Sequence, residues 1–400
     1  MKKTTLFIFA IAFAFACGSQ HNDKQLVNSD TLKKDSIKAA PKSSQANHPA
    51  INRELNDVAR YIAGMEIAPG SKLDSSLLNN KDWKNYAKTL NAEFAKLDNT
   101  QIDKMKPWVA SELSDLKTKA LFYPFAGADM LNAYTLFPNA QKYFMVGLEP
   151  VGTPPDLAKI YKSKDLLHYL NTVNQSLTSI INFSFFRTKS MAVEFHQSDV
   201  NGTLHVLLLF LERTGNSIVN IKPVAVNTKG ELITYNSFAD SQKDSVRNKG
   251  AQIDFISADS MEHTVTYFSI DLSNGSFPKN QGFKTFIKDQ NADVTYIKSA
   301  SYLMHKAYFS DIRSTILANS RAILQDDSGI PWKLFNDSSR IITLYGAYTG
   351  TINIFPHDYQ TDLNDAYKKE PSKSKVKPLP FGIGYKYLKG ESNLMLSVRK

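Results

Sequence analysis

The only cysteine of this 400-residue chain is Cys17, and it follows a short apolar segment directly. Lys2 and Lys3 precede an uninterrupted apolar run over residues 6–16. A basic start, an apolar middle and a small residue at the end are typical of a secretory signal peptide. The run is shorter than the about 20 apolar residues that a membrane-spanning helix needs. With a single cysteine the chain has no internal disulfide or multi-cysteine zinc site, so a hydrophobic core must stabilise it.

The sequence around this cysteine resembles the lipobox of bacterial lipoproteins, with Ala16 before Cys17. In that family the thiol is acylated, the preceding peptide is removed and the new amino end is acylated too. The resemblance implies a lipoprotein signal peptide over residues 1–16, a lipid attachment site at Cys17 and, from Gly18, the outer membrane. Several acyl chains, at ~0.8 kcal/mol per buried methylene, would make a stable membrane anchor. An ordinary signal peptide followed by an incidental cysteine is the alternative.

The charge of the chain is +10, but its lysines are scattered. The one dense basic stretch covers residues 368–377. Nucleic-acid-binding proteins cluster their basic residues and interleave aromatic ones, so we predict no nucleic-acid partner. A solvated basic surface explains the composition, and contact with anionic lipid or glycan is the alternative.

Three regions follow the signal peptide. Residues 17–50 are polar and lack an apolar period, which predicts a flexible tether. Residues 51–118 carry apolar side chains at three- and four-residue spacing, which predicts an N-terminal helical segment. Residues 119–400 mix strand and helix patterns, which predicts an α/β domain with a β-rich insertion at about 218–290.

Within the α/β region, residues 119–150 read as strand, helix and strand. Residues 203–211, TLHVLLLFL, are nearly all apolar, which favours a central strand covered on both faces. Residues 301–320 predict one helix, with His305 and Arg313 on a shared face. The last strands are predicted to pair as an antiparallel hairpin. The fold class is therefore α/β, with a Rossmann-like, mostly parallel sheet, N-terminal helices and C-terminal antiparallel strands.

Polar residues follow several predicted strands, and ligands of open α/β sheets bind at the carboxyl ends of strands. If the strands are parallel neighbours, these residues face one crevice. Glu212, Arg213, Lys298 and Ser299 also stand at predicted strand ends. The candidate ligand-binding residues are Tyr123, Gly127, Asp129, Glu149, Asp326, Asp327 and Ser328.

The pattern resembles the methyltransferase fold that binds S-adenosylmethionine. In that family a small-residue loop follows the first strand, an acidic residue after the second holds the ribose, and an antiparallel hairpin closes the sheet. The resemblance assigns the loop to Ala126, Gly127 and Ala128 and the ribose acid to Glu149. The loop has one glycine where the family usually has two or three, and no Asp/Asn-Pro-Pro-Tyr/Phe motif occurs. Because S-adenosylmethionine is scarce outside the cytoplasm, we predict the geometry of a cofactor loop without methyl transfer, and the cofactor stays unknown.

The segment DDSGIP, from Asp326 to Pro331, has two interpretations. Adjacent carboxylates can bind Ca²⁺, although calcium loops normally alternate their acids. The favoured interpretation is a turn that Asp326 or Asp327 caps, with Gly329 at positive φ. His196 and His205 flank Asn201-Gly202 and would meet across a hairpin turn there, but isolated histidines are the commoner case. We therefore predict no metal site.

The stretches LQDDSGIP, YPFAGAD and GLEPVG resemble an uncharacterised family of exported bacterial lipoproteins, which implies a shared fold and compartment but no reaction. The leading hypothesis is a lipid-anchored cell-envelope protein whose polar crevice binds an unidentified ligand or partner. One alternative is an envelope enzyme, a hydrolase with acid/base carboxylates or a methyltransferase. Another is a structural or assembly component. No catalytic residue is assigned.

Overall fold

The computed structural model describes residues 49–162, 165–183, 200–335, 338–369 and 376–400. They belong to one unit of the chain, His48–Lys400. The predicted signal peptide, Cys17, His196 and nearly all of the tether lie outside the described residues. Within these ranges no helix is long and apolar enough to cross a membrane.

Helices dominate the first part of the unit, as the apolar spacing predicts. Asn52 and Asn80 cap the first and third helices with their side-chain oxygens. The α-helices are α1 Arg53–Ile62, α2 Ser75–Asn79, α3 Lys81–Leu97, α4 Asp103–Glu112, α5 Met130–Leu136, α6 Leu157–Lys162, α7 Leu166–Phe183, α8 Leu204–Arg213, α9 Phe238–Ser241, α10 Gln281–Asp289, α11 Ser310–Asn319 and α12 Thr361–Lys369.

All described strands join one sheet, in the order β10-β9-β11-β8-β7-β1-β2-β6-β5-β3-β4. The strands are β1 Ala120–Pro124, β2 Lys142–Gly147, β3 Ser217–Val226, β4 Leu232–Thr234, β5 Lys249–Ile256, β6 Glu262–Ser269, β7 Val294–Ile297, β8 Ala322–Gln325, β9 Arg340–Gly346, β10 Val376–Lys377 and β11 Asn393–Arg399.

The sheet is mixed, because five of its ten strand pairings are parallel and five are antiparallel. The expectation of a mostly parallel sheet holds only for the centre, where β8, β7, β1, β2 and β6 run in one direction. On one side β3, β4 and β5 are antiparallel. On the other side β11 lies antiparallel between β8 and β9, which confirms that the late strands pair antiparallel. They do not form the predicted hairpin, because α12 and β10 lie between β9 and β11 in the chain.

The central sheet separates two hydrophobic layers. Leu121 and Tyr123 of β1 face the layer that includes α1, α3, α4, α5, α7 and α8. Phe122 and its β2 neighbour Phe144 face the other layer, which includes α10 and α11. Alternation of side chains along each strand places successive residues on opposite faces. The central strands are therefore buried on both sides, as parallel strands usually are.

Residues 203–211 form no strand, which corrects the sequence prediction. They belong to α8, and every side chain from Leu204 to Glu212 is buried. A helix surrounded on all sides has no polar face, so its apolar run carries no 3.6-residue period. Periodicity alone does not separate such a helix from a buried strand. The abundance of leucine and the single β-branched residue within the helix, Val206, are the signals that favour a helix.

The predicted single helix over residues 301–320 is also wrong. Two 3₁₀ turns, Leu303–His305 and Ala307–Phe309, precede α11. Tyr302 is left-handed, with φ 52°, and Lys306 is extended, so neither continues a helix. His305 and Arg313 therefore do not share a helix. Arg313 instead donates a hydrogen bond to the Met304 carbonyl at 2.6 Å.

Candidate functional site

The loop after β1 has a constrained backbone. Phe125 and Gly127 both take left-handed conformations, with φ 59° and 53°. Such a conformation costs about 1–3 kcal/mol for a residue with a side chain and persists only where surrounding contacts impose it. Asp129 ends the loop and caps α5, accepting hydrogen bonds from the Asn132 backbone N–H and amide. The loop therefore delivers a carboxylate to the carboxyl end of β1.

The loop after β7 is constrained in the same way. Ser299, Ser301 and Tyr302 have φ values of 50°, 50° and 52°. Successive amides in such a loop form a concave donor surface, which commonly binds anions. Here the N–H groups of Ser299, Ala300 and Ser301 bind side-chain oxygens. The acceptors are Asp326 Oδ2, Ser328 Oγ and Tyr385 OH.

A buried ion pair joins the two loops. Lys298 Nζ lies 2.6 Å from Asp129 Oδ2, and each side chain is only 1% exposed. Tyr123 OH donates to the same carboxylate oxygen at 2.8 Å. Removing each of these charges from water costs several kcal/mol, so each side chain depends on the other for its stability in the folded protein. β1 and β7 are hydrogen-bonded neighbours, and the sheet therefore holds the two charges together.

Three buried polar atoms at the end of β7 lack a hydrogen-bond partner among the described residues. They are Tyr296 OH, Lys298 Nζ and Ser299 Oγ. Lys298 keeps the ion pair, but its N–H groups have no well-directed acceptor there. Nearly all buried polar groups of folded proteins are hydrogen-bonded, so three such atoms within four residues distinguish the end of β7 from the rest of the sheet.

The loop after β8 contacts the loop after β7 through Asp326 and Ser328. Asp326 Oδ1 accepts from the Ser328 N–H at 3.0 Å and from the Ser328 hydroxyl, which confirms the predicted capped turn. Asp327 turns the other way and accepts from Tyr302 OH and, at 3.0 Å, from the Asn393 amide. The expected positive φ at Gly329 is wrong. A side chain at Gly329 would collide with Gln325, since a Cβ would lie 2.6 Å from its Oε1.

The electrostatics of the cluster favour neutral carboxyl groups at β8. Burial raises the pKa of Asp326 to about 7, and the neighbouring Asp327 carboxylate contributes to this increase. Burial also raises the pKa of Asp327. Burial, and then the charges of Asp129 and Asp326, raise the pKa of Tyr296, so its hydroxyl stays protonated.

Glu149 lies beside the loop after β1 but in a different hydrogen-bond network. Its side chain is buried, and Tyr267 OH of β6 donates to its backbone carbonyl at 2.9 Å and lies 3.2 Å from Oε2. A Cβ at Gly147 would lie 2.3 Å from Glu149 Oε2 and 3.3 Å from Gly127 Cα. The small residues at 127 and 147 therefore leave room for this carboxylate against the loop.

The structure brings together most of the predicted site residues. Direct contacts link Tyr123 with Asp129, and the β7 loop binds both Asp326 and Ser328. Lys298, Tyr296 and Ser299 complete the cluster. The sequence pattern places Lys298 and Ser299 at a predicted strand end, whereas Tyr296, inside β7, is the residue of the cluster that it does not single out.

Glu212 and Arg213 are not in the crevice, contrary to their predicted place at a strand end. They belong to the last turn of α8, because residues 204–213 form a helix and not a strand. The helix carries Glu212 to α1, where its Oε2 lies 3.4 Å from Arg60.

The histidines do not form a metal centre in the part of the chain that the structure describes. His205 Nδ1 lies 2.9 Å from Tyr169 OH, between α7 and α8. His263 contacts the Ala140 carbonyl and the Ser257 hydroxyl. Across the described ranges, no three His, Cys, Asp or Glu side chains are grouped to hold a metal ion.

The sequence matches no protein-family model, no curated protein and no solved structure.

Proposed function

We propose that the protein is a lipid-anchored ligand-binding protein of the cell envelope, with a Rossmann-like domain. A small polar ligand would bind in the crevice at the carboxyl ends of β1, β7 and β8. The lipid on Cys17 would hold the protein at the outer membrane, and residues 17–50 would tether the folded unit to it. The partners would be the membrane and this ligand, without nucleic acid.

The strand order supports the Rossmann-like assignment. Renumbered along the chain, the parallel strands β6, β2, β1, β7 and β8 have the order 3-2-1-4-5, which is the order of a doubly wound nucleotide-binding sheet. The antiparallel β3, β4 and β5 interrupt the chain between β2 and β6, as a β-rich insertion would. Such sheets bind ligands where the strand order reverses, here between β1 and β7.

One observation carries the ligand proposal: Tyr296 OH, Lys298 Nζ and Ser299 Oγ at this reversal point have no hydrogen-bond partner among the described residues, although Lys298 keeps its ion pair with Asp129. All three can donate hydrogen bonds, and the carboxylate of Asp129 beside them can accept. A small molecule with several polar groups would satisfy this set. Because the side chains are at least nine-tenths buried, the strained loops would have to move to admit it.

The matched tyrosines Tyr296 and Tyr123 test this proposal, since both are buried and their ring centroids lie 4.6 Å apart. We expect Tyr296→Phe to leave the ligand-free protein as stable or more stable by about 1 kcal/mol, because an unpaired buried hydroxyl is removed. Tyr123→Phe should cost about 1.5–3 kcal/mol, because a hydrogen bond to a carboxylate is lost. Urea unfolding measures both changes.

Native mass spectrometry then detects the ligand itself. Residues 18–400, purified from cells without refolding, should carry a stoichiometric added mass that decreases in Tyr296→Phe and in Ser299→Ala. A wild-type protein of clean mass, combined with a Tyr296→Phe variant as unstable as Tyr123→Phe, would contradict the proposal. Denaturing extraction identifies the chemical class of whatever is bound.

The anchor has a separate test at Cys17. We expect the wild-type protein to fractionate with membranes and to carry the mass of several acyl chains. Cys17→Ala should abolish that added mass, because the thiol that would carry the acyl chain is absent. Cys17→Ala protein that stays in the membrane fraction with an unchanged mass would refute acylation at this position.

The alternative function is an envelope hydrolase with Asp129, Glu149, Asp326 or Asp327 as acid/base groups. The raised pKa of Asp326 favours it, because a carboxyl group with a pKa near 7 suits general acid/base catalysis. Activity lost in Asp326→Asn with little loss of stability would support this alternative. A structural or assembly role would leave both Tyr296→Phe and Asp326→Asn without functional effect.

A further inference from the structure

A cavity of about 1150 Å³ lies near the amino ends of β1 and β2, at the opposite end of these strands from the candidate site. Lys119 and Gln141, which stand just before β1 and β2, lie at its base. Its walls come from α3, α4, α5 and the last turn of α8. The volume lies slightly above the roughly 300–1,000 Å³ of small-molecule sites, so the cavity is large enough for such a ligand. Since β1 and β2 run parallel, this cavity is separated from the strand-end crevice by the length of the strands.

Part of the cavity lining is a group of buried aliphatic side chains beside polar and aromatic ones. Ile102, Leu113, Leu116, Leu131 and Leu136 all line the cavity, and each is at most 7% exposed. They come from the turn before α4, from the end of α4 and the turn after it, and from α5. Aliphatic side chains form no hydrogen bonds, and they bury the apolar surface of a hydrocarbon chain favourably.

Arg213 lies at the α8 end of this wall; the Asp98 carboxylate of the same lining interacts with it electrostatically but forms no ion pair with it among the described residues. The Arg213 guanidinium carbon is 4.4 Å from the centre of the Phe94 ring, and one terminal nitrogen donates to the Ala63 carbonyl. Arg213 Nε is buried and has no hydrogen-bond partner among the described residues. The ion pairs within those residues do not include Arg213.

The wider lining is also cationic. Its charged residues are Lys106, Lys117, Lys119 and Arg213 against Asp98 and Asp103, so cations exceed anions by two. Burial lowers the pKa of Arg213 only to about 10, so the guanidinium keeps its charge at neutral pH. The Arg213 side chain is half-buried, and a charge that is partly removed from water is stabilised by an anion. A ligand with one anionic group would accept a hydrogen bond from Nε and reduce the excess of cations in the lining from two to one.

We infer that this cavity binds a single-chain anionic amphiphile, with its anionic head on Arg213 and its hydrocarbon chain along the aliphatic wall. The head would accept a hydrogen bond from the free Nε–H, and the chain would displace water from the leucine side chains. This inference does not depend on the crevice at the other end of the strands.

Dodecanoate and the uncharged dodecanol serve as the probes. Residues 18–400, which retain every described residue, are stripped of bound lipid and titrated calorimetrically with each compound. We expect dodecanoate to bind at least tenfold more tightly than dodecanol, because only the carboxylate pairs with Arg213. Equal affinities would overturn the placement of the head, and the absence of binding by both would overturn the inference.

Two variants separate the head from the chain. Arg213→Gln should reduce dodecanoate affinity at least tenfold and leave dodecanol affinity nearly unchanged. Ala110→Trp, which fills the cavity from the exposed side of α4, should weaken both compounds alike. If Arg213→Gln weakens neither compound or both equally, Arg213 does not hold the head. If circular dichroism shows that Arg213→Gln does not fold, Arg213→Lys is measured in its place. The preference of the wild-type protein for dodecanoate over dodecanol then tests whether the head is paired with a cation.

Matched controls lie outside the cavity. Arg399→Gln removes an arginine that likewise donates to backbone carbonyls, those of Leu317 and Ala318. Tyr296→Phe alters the crevice alone. Both variants should bind dodecanoate with wild-type affinity. A tenfold loss in either would show that the amphiphile binds elsewhere and would overturn the assignment to this cavity.

Discussion

Lys298→Met is expected to destabilise the folded protein by about 3–5 kcal/mol, the usual cost of leaving one partner of a buried ion pair alone. The Asp129 carboxylate would stay buried, 1% exposed, without its cation. Tyr123 and Asn132 would still donate hydrogen bonds to it, but neither carries a charge. The free energy of unfolding in urea measures the loss.

The double variant decides whether the charge pair is the cause. Asp129→Asn alone should cost a similar amount, because Lys298 then becomes the unpaired charge. The amide that replaces the carboxylate keeps an oxygen that can cap α5, so Asp129→Asn combined with Lys298→Met should recover most of the loss. Additive losses in the double variant would contradict the pairing, since coupled residues give strongly non-additive changes.

A surface ion pair supplies the control. Lys377 Nζ lies 2.7 Å from Glu112, nearly the same separation, but the lysine side chain is 48% exposed. Lys377→Met should therefore cost less than about 1 kcal/mol. A Lys298→Met effect as small as that would mean that the pair at the crevice is not desolvated.

The second large effect is the pH dependence that Asp326 imposes. Burial and the neighbouring Asp327 raise its pKa from 3.8 to about 7 in the folded state. Between these values the folded chain binds a proton that the unfolded chain releases. Stability from this group is therefore complete below about pH 4 and is lost as the pH rises to about 7, at up to about 1.4 kcal/mol per pH unit.

Asp326→Asn should flatten this pH dependence, and urea unfolding from pH 4 to pH 8 measures the slope. The two oxygens of Asp326 accept hydrogen bonds from the backbone N–H groups of Ser299 and Ser328. In Asp326→Asn one of these oxygens becomes an NH₂ group, which cannot accept. We therefore expect the variant to be less stable than the wild type. Glu212, whose pKa burial also raises to about 7, contributes a similar slope, so Glu212→Gln is the matched comparison. A slope that stays unchanged in Asp326→Asn would refute the raised pKa.

Asp326→Ala separates the hydrogen bonds from the charge. It removes the acceptor of the Ser299 and Ser328 N–H groups, which leaves buried donors unpaired at every pH. Each unpaired donor costs about 1–3 kcal/mol. We expect a loss of several kcal/mol at pH 4 and at pH 8, in contrast to the pH-dependent change in Asp326→Asn.

Much of the local structure follows from the sequence. Apolar runs around a small-residue loop predict the strand-helix-strand unit of β1, α5 and β2, and the structure confirms it. The N-terminal helices and the hairpin of β3 and β4 follow from their period and their turn residues. These elements have one polar face or a marked turn, so their patterns identify them.

Elements without such marks are the ones that the sequence predicts wrongly. α8 is buried on all sides, and its apolar run therefore has no period that distinguishes helix from strand. The helix predicted to start at residue 301 begins only at Ser310, because left-handed residues at 301 and 302 break it. Ser301 and Tyr302 take that conformation while hydrogen-bonded to Tyr385 and Asp327, contacts that distant parts of the chain supply.

Local sequence patterns place Asp129 and Asp326 at the ends of β1 and β8, and the structure confirms both positions, although the strand end predicted at Glu212 is wrong. The pairing of Lys298 with Asp129 depends on the tertiary structure, because β1 and β7 become neighbours through the order of strands in the sheet. The position of Arg213, which forms no ion pair among the described residues, likewise results from packing, since α8 is a helix and not a strand. Local patterns record the faces of single elements, whereas pairing between distant residues depends on which elements the shared core brings together.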